Sequence, residues 1–187
     1  MDHYLELTLL PDPEFTQPML MSALLAKLHR ALHDLRRDDI GVSFPGYSLK
    51  PQSLGTRLRV HGNLVALDSL QALNWLSGMR DHTEVLGPEP IPEQVRFRSV
   101  SRVQVDSNPE RLRRRLIKRH GISAEEARQR IPDNTGKQCA LPFAQMRSQT
   151  SGQLFRLFVR QGGIVDERCE GTFGGYGLSS VATVPWF

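Results

Sequence analysis

Along the first 35 residues the spacing of the leucines changes, and that change limits what the chain can build. Leu5, Leu7 and Leu9 recur every second residue, the period of a strand with one buried face. Leu20, Leu24, Leu28, Ala31 and Leu35 then recur every three or four residues. They form one stripe on a helix that Thr16 and Pro18 open and that runs to about Leu35. Residues 40–44 and 57–61 read as two short strands, joined by a loop holding Pro45, Gly46 and Pro51. Leu67, Leu70, Leu73 and Leu76 predict a second helix, for which Asn63 or Asp68 is the candidate cap. A fourth strand is expected at 83–86. The order β-α-β-β-α-β is the ferredoxin-like (RRM-like) arrangement. The stretch Gly87-Pro88-Glu89-Pro90-Ile91-Pro92 is expected to break regular structure, which places a boundary between a domain at 1–94 and another at 95–187.

The second half predicts an α+β domain. Residues 95–105 alternate: Arg96, Arg98, Val100, Arg102 and Gln104 on one parity, with Val95, Phe97, Ser99, Ser101, Val103 and Val105 on the other. The first parity is expected to face solvent or ligand and the second to be mostly core. Asn108 is the expected cap of a helix with Pro109 at its first position and Gly121 at its end. Ser123 with Glu126 makes a capping box for a further short helix. Segments 144–149 and 154–161 predict a hairpin turning through Thr150, Ser151 and Gly152, followed by a glycine-rich tail.

Charge is concentrated rather than abundant. The chain carries +4 overall, yet residues 95–120 hold nine Lys/Arg against two Asp/Glu, so the remainder is net acidic. On the helix at 109–120, Arg111, Arg114, Arg115, Lys118 and Arg119 share an arc of about 140°. Like charges four apart on a helix repel by a few tenths of a kcal/mol per pair, roughly. Phosphates along a groove would neutralise that repulsion. Arg102 and Gln104 are residue types that make two hydrogen bonds to guanine and adenine edges respectively. A localised basic footprint with base-reading side chains points to a nucleic acid. A solvated strand and helix with spare positive charge is the plainer alternative.

Several classes are excluded. No apolar run approaches the length of a membrane span. The first ten residues lack the basic-then-apolar layout of a signal peptide, and Cys139 and Cys169 have no metal spacing. A reducing cytoplasm with free thiols is therefore expected. No carboxylate pair has two-metal spacing and no His/Cys cluster has ligand spacing, so neither a metal nor another cofactor is expected. Cleaving RNA without metal needs a base for the 2′-hydroxyl, an acid for the leaving oxygen and donors for the phosphate. Histidine suits such proton transfer near neutral pH. Of the six histidines, His29 falls at the rim of the apolar arc of the first helix. From spacing alone it reads equally as a bland surface residue, with His120 as another candidate base.

With these features in hand the chain resembles the repeat-RNA processing endoribonucleases of subtype I-F (Yersinia-type) CRISPR systems. The resemblance rests on Lys27-Leu28-His29-Arg30-Ala31-Leu32, Ile40-Gly41-Val42-Ser43-Phe44-Pro45 and Ser101-Arg102-Val103-Gln104. It continues through Ser107-Asn108-Pro109-Glu110-Arg111-Leu112-Arg113-Arg114-Arg115-Leu116, Arg147-Ser148-Gln149 and Phe155-Arg156-Leu157-Phe158. Tyr176-Gly177-Leu178-Ser179 and the terminal Pro185-Trp186-Phe187 complete it. The chain departs from the family pattern at Ser180, where a basic residue is expected.

The resemblance implies cleavage of a CRISPR repeat transcript at the base of a short hairpin, without metal. The chain would stay bound to its product, the mature guide RNA, among other subunits of a surveillance complex. It implies that His29 is the catalytic histidine, that Ser148 positions the attacking 2′-hydroxyl and that Tyr176 orients His29. It further implies that Arg102 and Gln104 read base edges low in the stem. Arg115 and Arg119, with Arg111, Arg114 and Lys118, would enter the hairpin's major groove, and Phe155 would stack on the last base pair. Two other readings are a hairpin-binding subunit with little turnover and a general RNA-recognition module; against the latter, the N-terminal strands carry no RNP-type aromatic pair.

Overall fold

The computed structural model describes residues 1–104, 109–132, 139–149 and 151–187, with Arg111 described by its backbone alone. The expected caps and turns at Asn108 and Thr150, and Val105 at the end of the alternating segment, lie outside the described residues. Two compact units form: Met1–Arg102 with Leu141–Phe187, and Val103–Ala140.

In the first unit the leucine pattern becomes β1 (His3–Leu9) and α1 (Gln17–Leu35). Leu5, Leu7 and Leu9 are buried, as are Leu20, Leu24, Leu28 and Ala31 of the helix stripe. Burial of this kind stabilises by roughly 2 kcal/mol per large side chain. Pro18 stands in the first turn of α1, and Arg36 ends it in the left-handed region with its N–H on the His33 carbonyl. Then follow β2 (Gly41–Ser43), the small pair β3 (Ser48–Leu49) and β4 (Gln52–Ser53), β5 (Arg57–Gly62), α2 (Leu64–Ala72) and β6 (Thr83–Pro90). The sheet order is β2-β5-β1-β6, with antiparallel neighbours throughout. Numbered within the β-α-β-β-α-β motif, that is 4-1-3-2 read from β6, the ferredoxin-like arrangement.

Three expectations need correction here. The loop between the strands at 40–44 and 57–61 contains the β3–β4 hairpin. Asn63 caps α2 through the Ala66 N–H, but the helix ends at Ala72, so Leu73 and Leu76 lie beyond it. Asn74 in the left-handed region turns the chain, and Trp75 and Met79 fill the core instead. The Gly-Pro stretch does not end regular structure at 86, because β6 runs on to Pro90. As an edge strand it tolerates prolines, and a register irregularity opposite Tyr4 and Glu6 absorbs the disturbance.

The second sheet, in the order β10-β7-β9-β8, contains β7 (Arg96–Val103), β8 (Phe143–Arg147), β9 (Leu154–Val165) and β10 (Ser179–Trp186). Every strand of the first sheet precedes residue 95 and every strand of the second follows it. The expected hairpin is β8–β9. The glycine-rich tail ends in β10, a strand that its composition conceals. In β7 the face assignment changes. Arg96 and Arg102 are exposed, but Val100, on the same parity, is buried, while Phe97, Ser99 and Ser101 are half-buried. The β7–β10 register slips between Ser179 and Thr183, next to the partner of Val100.

The second unit contains α3 (Pro109–His120) and α4 (Ala124–Arg130). Gly121 at φ 63° closes α3 onto the Ile117 carbonyl, and Ser123 Oγ accepts the Glu126 N–H, which is the N-cap half of the expected capping box, while the Glu126 carboxylate accepts from Arg130.

Candidate active site

His29 stands on α1 one position past the buried Leu28, and it is half-buried. Its Nδ1 lies 2.6 Å from the Gly175 carbonyl oxygen. A carbonyl only accepts, so Nδ1 carries the proton and donates it. In the neutral ring Nε2 is then left with its lone pair, the form a general base needs. The Tyr176 ring stacks on the imidazole at 4.0 Å between centroids, tilted 16°.

The loop that supplies both contacts is held by its own backbone. Gly174 N–H donates to Leu178 O at 2.9 Å, Gly177 N–H to Gly174 O at 2.8 Å, and Val42 N–H of β2 to Gly177 O at 2.9 Å. Gly177 sits at φ 68°, and a Cβ there would stand 2.8 Å from Val42 Cγ1. Only glycine fits both conditions. Beneath the loop, Gly41 leaves room for Phe173 and Val184, which a Cβ would meet at 2.7 and 2.6 Å. The C-terminal tail is thus seated on the N-terminal sheet, and the seat fixes the histidine.

His29 and Tyr176 line a cavity of about 420 Å³ together with Ser148, Arg102 and Phe155. Five expected site residues, drawn from α1, β7, the β8–β9 hairpin and the tail, therefore come to one place. Ser148 follows the end of β8. Its Oγ accepts the Ser151 N–H at 3.2 Å, and its backbone is tied by Ser148 N–H to Gln153 O at 2.9 Å. The Arg102 guanidinium lies 5.6 Å from the ring centres of both Phe155 and Tyr176, within cation–π range. His33, Arg147 and Gln149 complete the lining; Arg147 and Gln149 flank Ser148 in a stretch that carries the resemblance, but the sequence assigns none of the three a role. The position of His33 four residues after His29 was the available signal. The Gly175 carbonyl has no signal at all, being backbone.

In the second unit, Arg114, Arg115, Lys118 and Arg119 are exposed on α3, while Leu112, Leu116 and Ile117 are half-buried. Arg113, the cation that interrupts the apolar side, is buried and donates from Nε to the Ile131 carbonyl at 2.7 Å, at the C-terminal end of α4. It ties the two helices together and is not part of the cationic arc. Gln104 is exposed just past β7. The side chain of Arg111 lies outside the described residues.

Three further histidines do not line the cavity. His61 is fully buried, with Nε2 2.8 Å from Ser43 Oγ. Burial, with Arg59 adding repulsion, pushes its pKa down to about 3, so it stays neutral. His82 meets the Asp12 carboxylate at 2.8 Å, and His120 is exposed at the end of α3. Among the described residues no three His, Cys, Asp or Glu side chains gather where they could hold a metal ion, and no helix is long and apolar enough to cross a membrane.

Residues 4–187 match the family model described as CRISPR-associated protein (Cas_Csy4). The chain is 51% identical over 187 residues to a protein of Pseudomonas aeruginosa (strain UCBPP-PA14) named CRISPR-associated endonuclease Cas6/Csy4, covering all of both chains. It is 48% identical, again over all of both chains, to a protein of the same name from Escherichia coli (strain UTI89 / UPEC).

Proposed function

The chain belongs to the Csy4 family of CRISPR-associated proteins, and from that premise we propose that it is a metal-independent endoribonuclease that cuts CRISPR repeat RNA at the base of its hairpin. The observation that carries this reading is the His29 hydrogen bond. An Nδ1 proton committed to the Gly175 carbonyl leaves Nε2 free to take a proton in a cavity lined by Ser148. His29 is then the general base for the 2′-hydroxyl that flanks the scissile phosphate. Ser148, its Oγ anchored by the Ser151 N–H, keeps a hydroxyl proton to orient that nucleophile. Tyr176 holds the imidazole plane by stacking. Attack by O2′ on phosphorus expels O5′, giving a 2′,3′-cyclic phosphate and a 5′-hydroxyl; addition of water to the cyclic phosphate would then leave a 3′-phosphate. The Arg147 guanidinium on the cavity wall suits the charge that gathers on the phosphate.

Recognition is divided among the remaining residues. Arg102 and Gln104 read base edges low in the stem. Arg102 rests on Phe155 and Tyr176, and Phe155 stacks on the terminal base pair when RNA arrives. Arg111, Arg114, Arg115, Lys118 and Arg119 of α3 line the major groove. That groove in A-form RNA is normally too deep and narrow to enter, but a stem of a few pairs is open at its end. The product stays bound as guide RNA among other subunits of a type I-F surveillance complex, in the cytoplasm. We place the functional division at 94/95, between the strands of the first sheet and those of the second, with the catalytic histidine before it and the RNA-binding residues after it.

The test is to separate binding from chemistry. His29→Ala should bind a repeat hairpin nearly as well as the wild type, while single-turnover cleavage falls by at least ~100-fold, the low end for losing a general acid or base. A chelator should leave wild-type cleavage unchanged. Full activity in His29→Ala would remove the histidine from the mechanism; binding without cleavage in the wild type would instead make the chain a non-catalytic hairpin-binding subunit.

A further inference from the structure

His29 accounts for one proton of the two that the reaction moves. The oxygen that leaves, O5′, departs as an alkoxide unless a proton reaches it, and His29 has just received one from the opposite end of the reacting phosphate. Attacking and leaving oxygens stand roughly in line across phosphorus, so the acid belongs on the far side from the base. Three titratable side chains line the cavity: His29, Tyr176 and His33. Tyr176 lies flat against His29, on the side of the base, and a phenol surrenders its proton far less readily than an imidazolium near neutral pH. Arg102 and Arg147 hold their protons permanently.

Resting on the reading that the chain cuts RNA through its 2′-hydroxyl, we infer that His33 is the general acid for O5′. It stands one helical turn beyond His29 on α1, a spacing that sets the two Cβ atoms about 5–6 Å apart on one face. The two rings are therefore neighbours on a rigid element, yet displaced along it. His33 is exposed, with 77% of its side chain open, and so is free to reach a phosphate held at the cavity mouth. Its Nδ1 faces the Asp34 carboxylate at 3.5 Å, which leaves the Nε2 proton of the imidazolium as the one to give. In the step, the O2′–P bond forms and the P–O5′ bond breaks. The 2′-hydroxyl proton passes to His29 Nε2 and the His33 proton passes to O5′. The rings finish in exchanged protonation states, and water resets them.

The test replaces the leaving oxygen. A hairpin RNA cut by the wild type is prepared with sulfur in place of the 5′-bridging oxygen at the scissile bond, since a thiolate leaves without a proton. On ordinary RNA, His33→Gln should lower the single-turnover cleavage rate by roughly 100-fold with hairpin affinity unchanged. On the sulfur-substituted RNA it should cleave at a rate close to that of the wild type, whereas His29→Ala should stay slow on both. His33→Gln cleaving ordinary RNA at the wild-type rate would overturn the assignment, and so would an equal loss on both substrates, which marks a structural or phosphate-binding role. A wild type inactive on every hairpin would overturn the underlying endoribonuclease reading, and the role of His33 with it.

Discussion

At the scale of single residues, two histidines on adjoining elements of one sheet-and-helix layer have opposite fates. His29 lines a cavity, with its Nδ1 satisfied by a backbone carbonyl. His61 is sealed inside β5, its Nε2 on Ser43 and its Nδ1 without a partner among the described residues. Sequence spacing placed His29 at the rim of an apolar face, which was correct as far as it went. It could not say that a glycine carbonyl 146 positions later would fix the tautomer, because a backbone acceptor leaves no trace in residue identity. His61 carries a pH consequence of definite sign. Its pKa in the folded chain is lowered to about 3 from 6.5 by burial. Between those values the unfolded chain takes up a proton that the folded chain refuses. Stability should therefore fall as pH drops through 6.5 toward 3, by at most about 1.4 kcal/mol per pH unit from this residue. His61→Gln, which can keep the Ser43 hydrogen bond, should show a shallower fall of unfolding free energy over that window, measured by denaturant titration. An unchanged slope would mean His61 titrates alike in both states.

At the scale of elements, the regular periods were legible and the interruptions were not. β1 and α1 followed from leucine spacing, and the N-cap of α4 followed from Ser123. β10 did not, since its strand pairs across a register slip and follows a run of glycines. The prolines of β6 read as a break because an edge position, which excuses them, is a property of the sheet rather than of the segment. The helix α3 was legible by charge, with one exception that the structure explains: Arg113 is spent on the Ile131 carbonyl, and the cationic arc excludes it. If that arc lies along phosphates, RNA affinity should fall steeply with salt, and Arg115→Ala/Arg119→Ala should flatten the log–log slope by roughly two units or somewhat less. A slope that stays the same in the double variant would take α3 out of the RNA interface.

At the scale of the whole molecule, the site exists because distant segments are brought to one cavity. His29 comes from the first 35 residues, Arg102 from the middle, Ser148 and Phe155 from one hairpin and Tyr176 from the tail. Arithmetic on spacing finds none of these together; resemblance to a family named them, and the packing of Gly41 and Gly177 against the tail and β2 shows how the chain joins them. The places of Arg147 and His33 on the cavity wall came only with the fold, since which way a strand-end or exposed helical side chain points depends on what packs beside it. On the proposed mechanism the RNA supplies its own nucleophile in this cavity. The most direct test is a repeat hairpin carrying a 2′-deoxy sugar immediately upstream of the scissile phosphate, compared with the all-ribose hairpin for binding and for single-turnover cleavage. Unchanged affinity and no cleavage are expected. Cleavage of the deoxy hairpin at the ribose rate would contradict that mechanism and would require a water nucleophile instead.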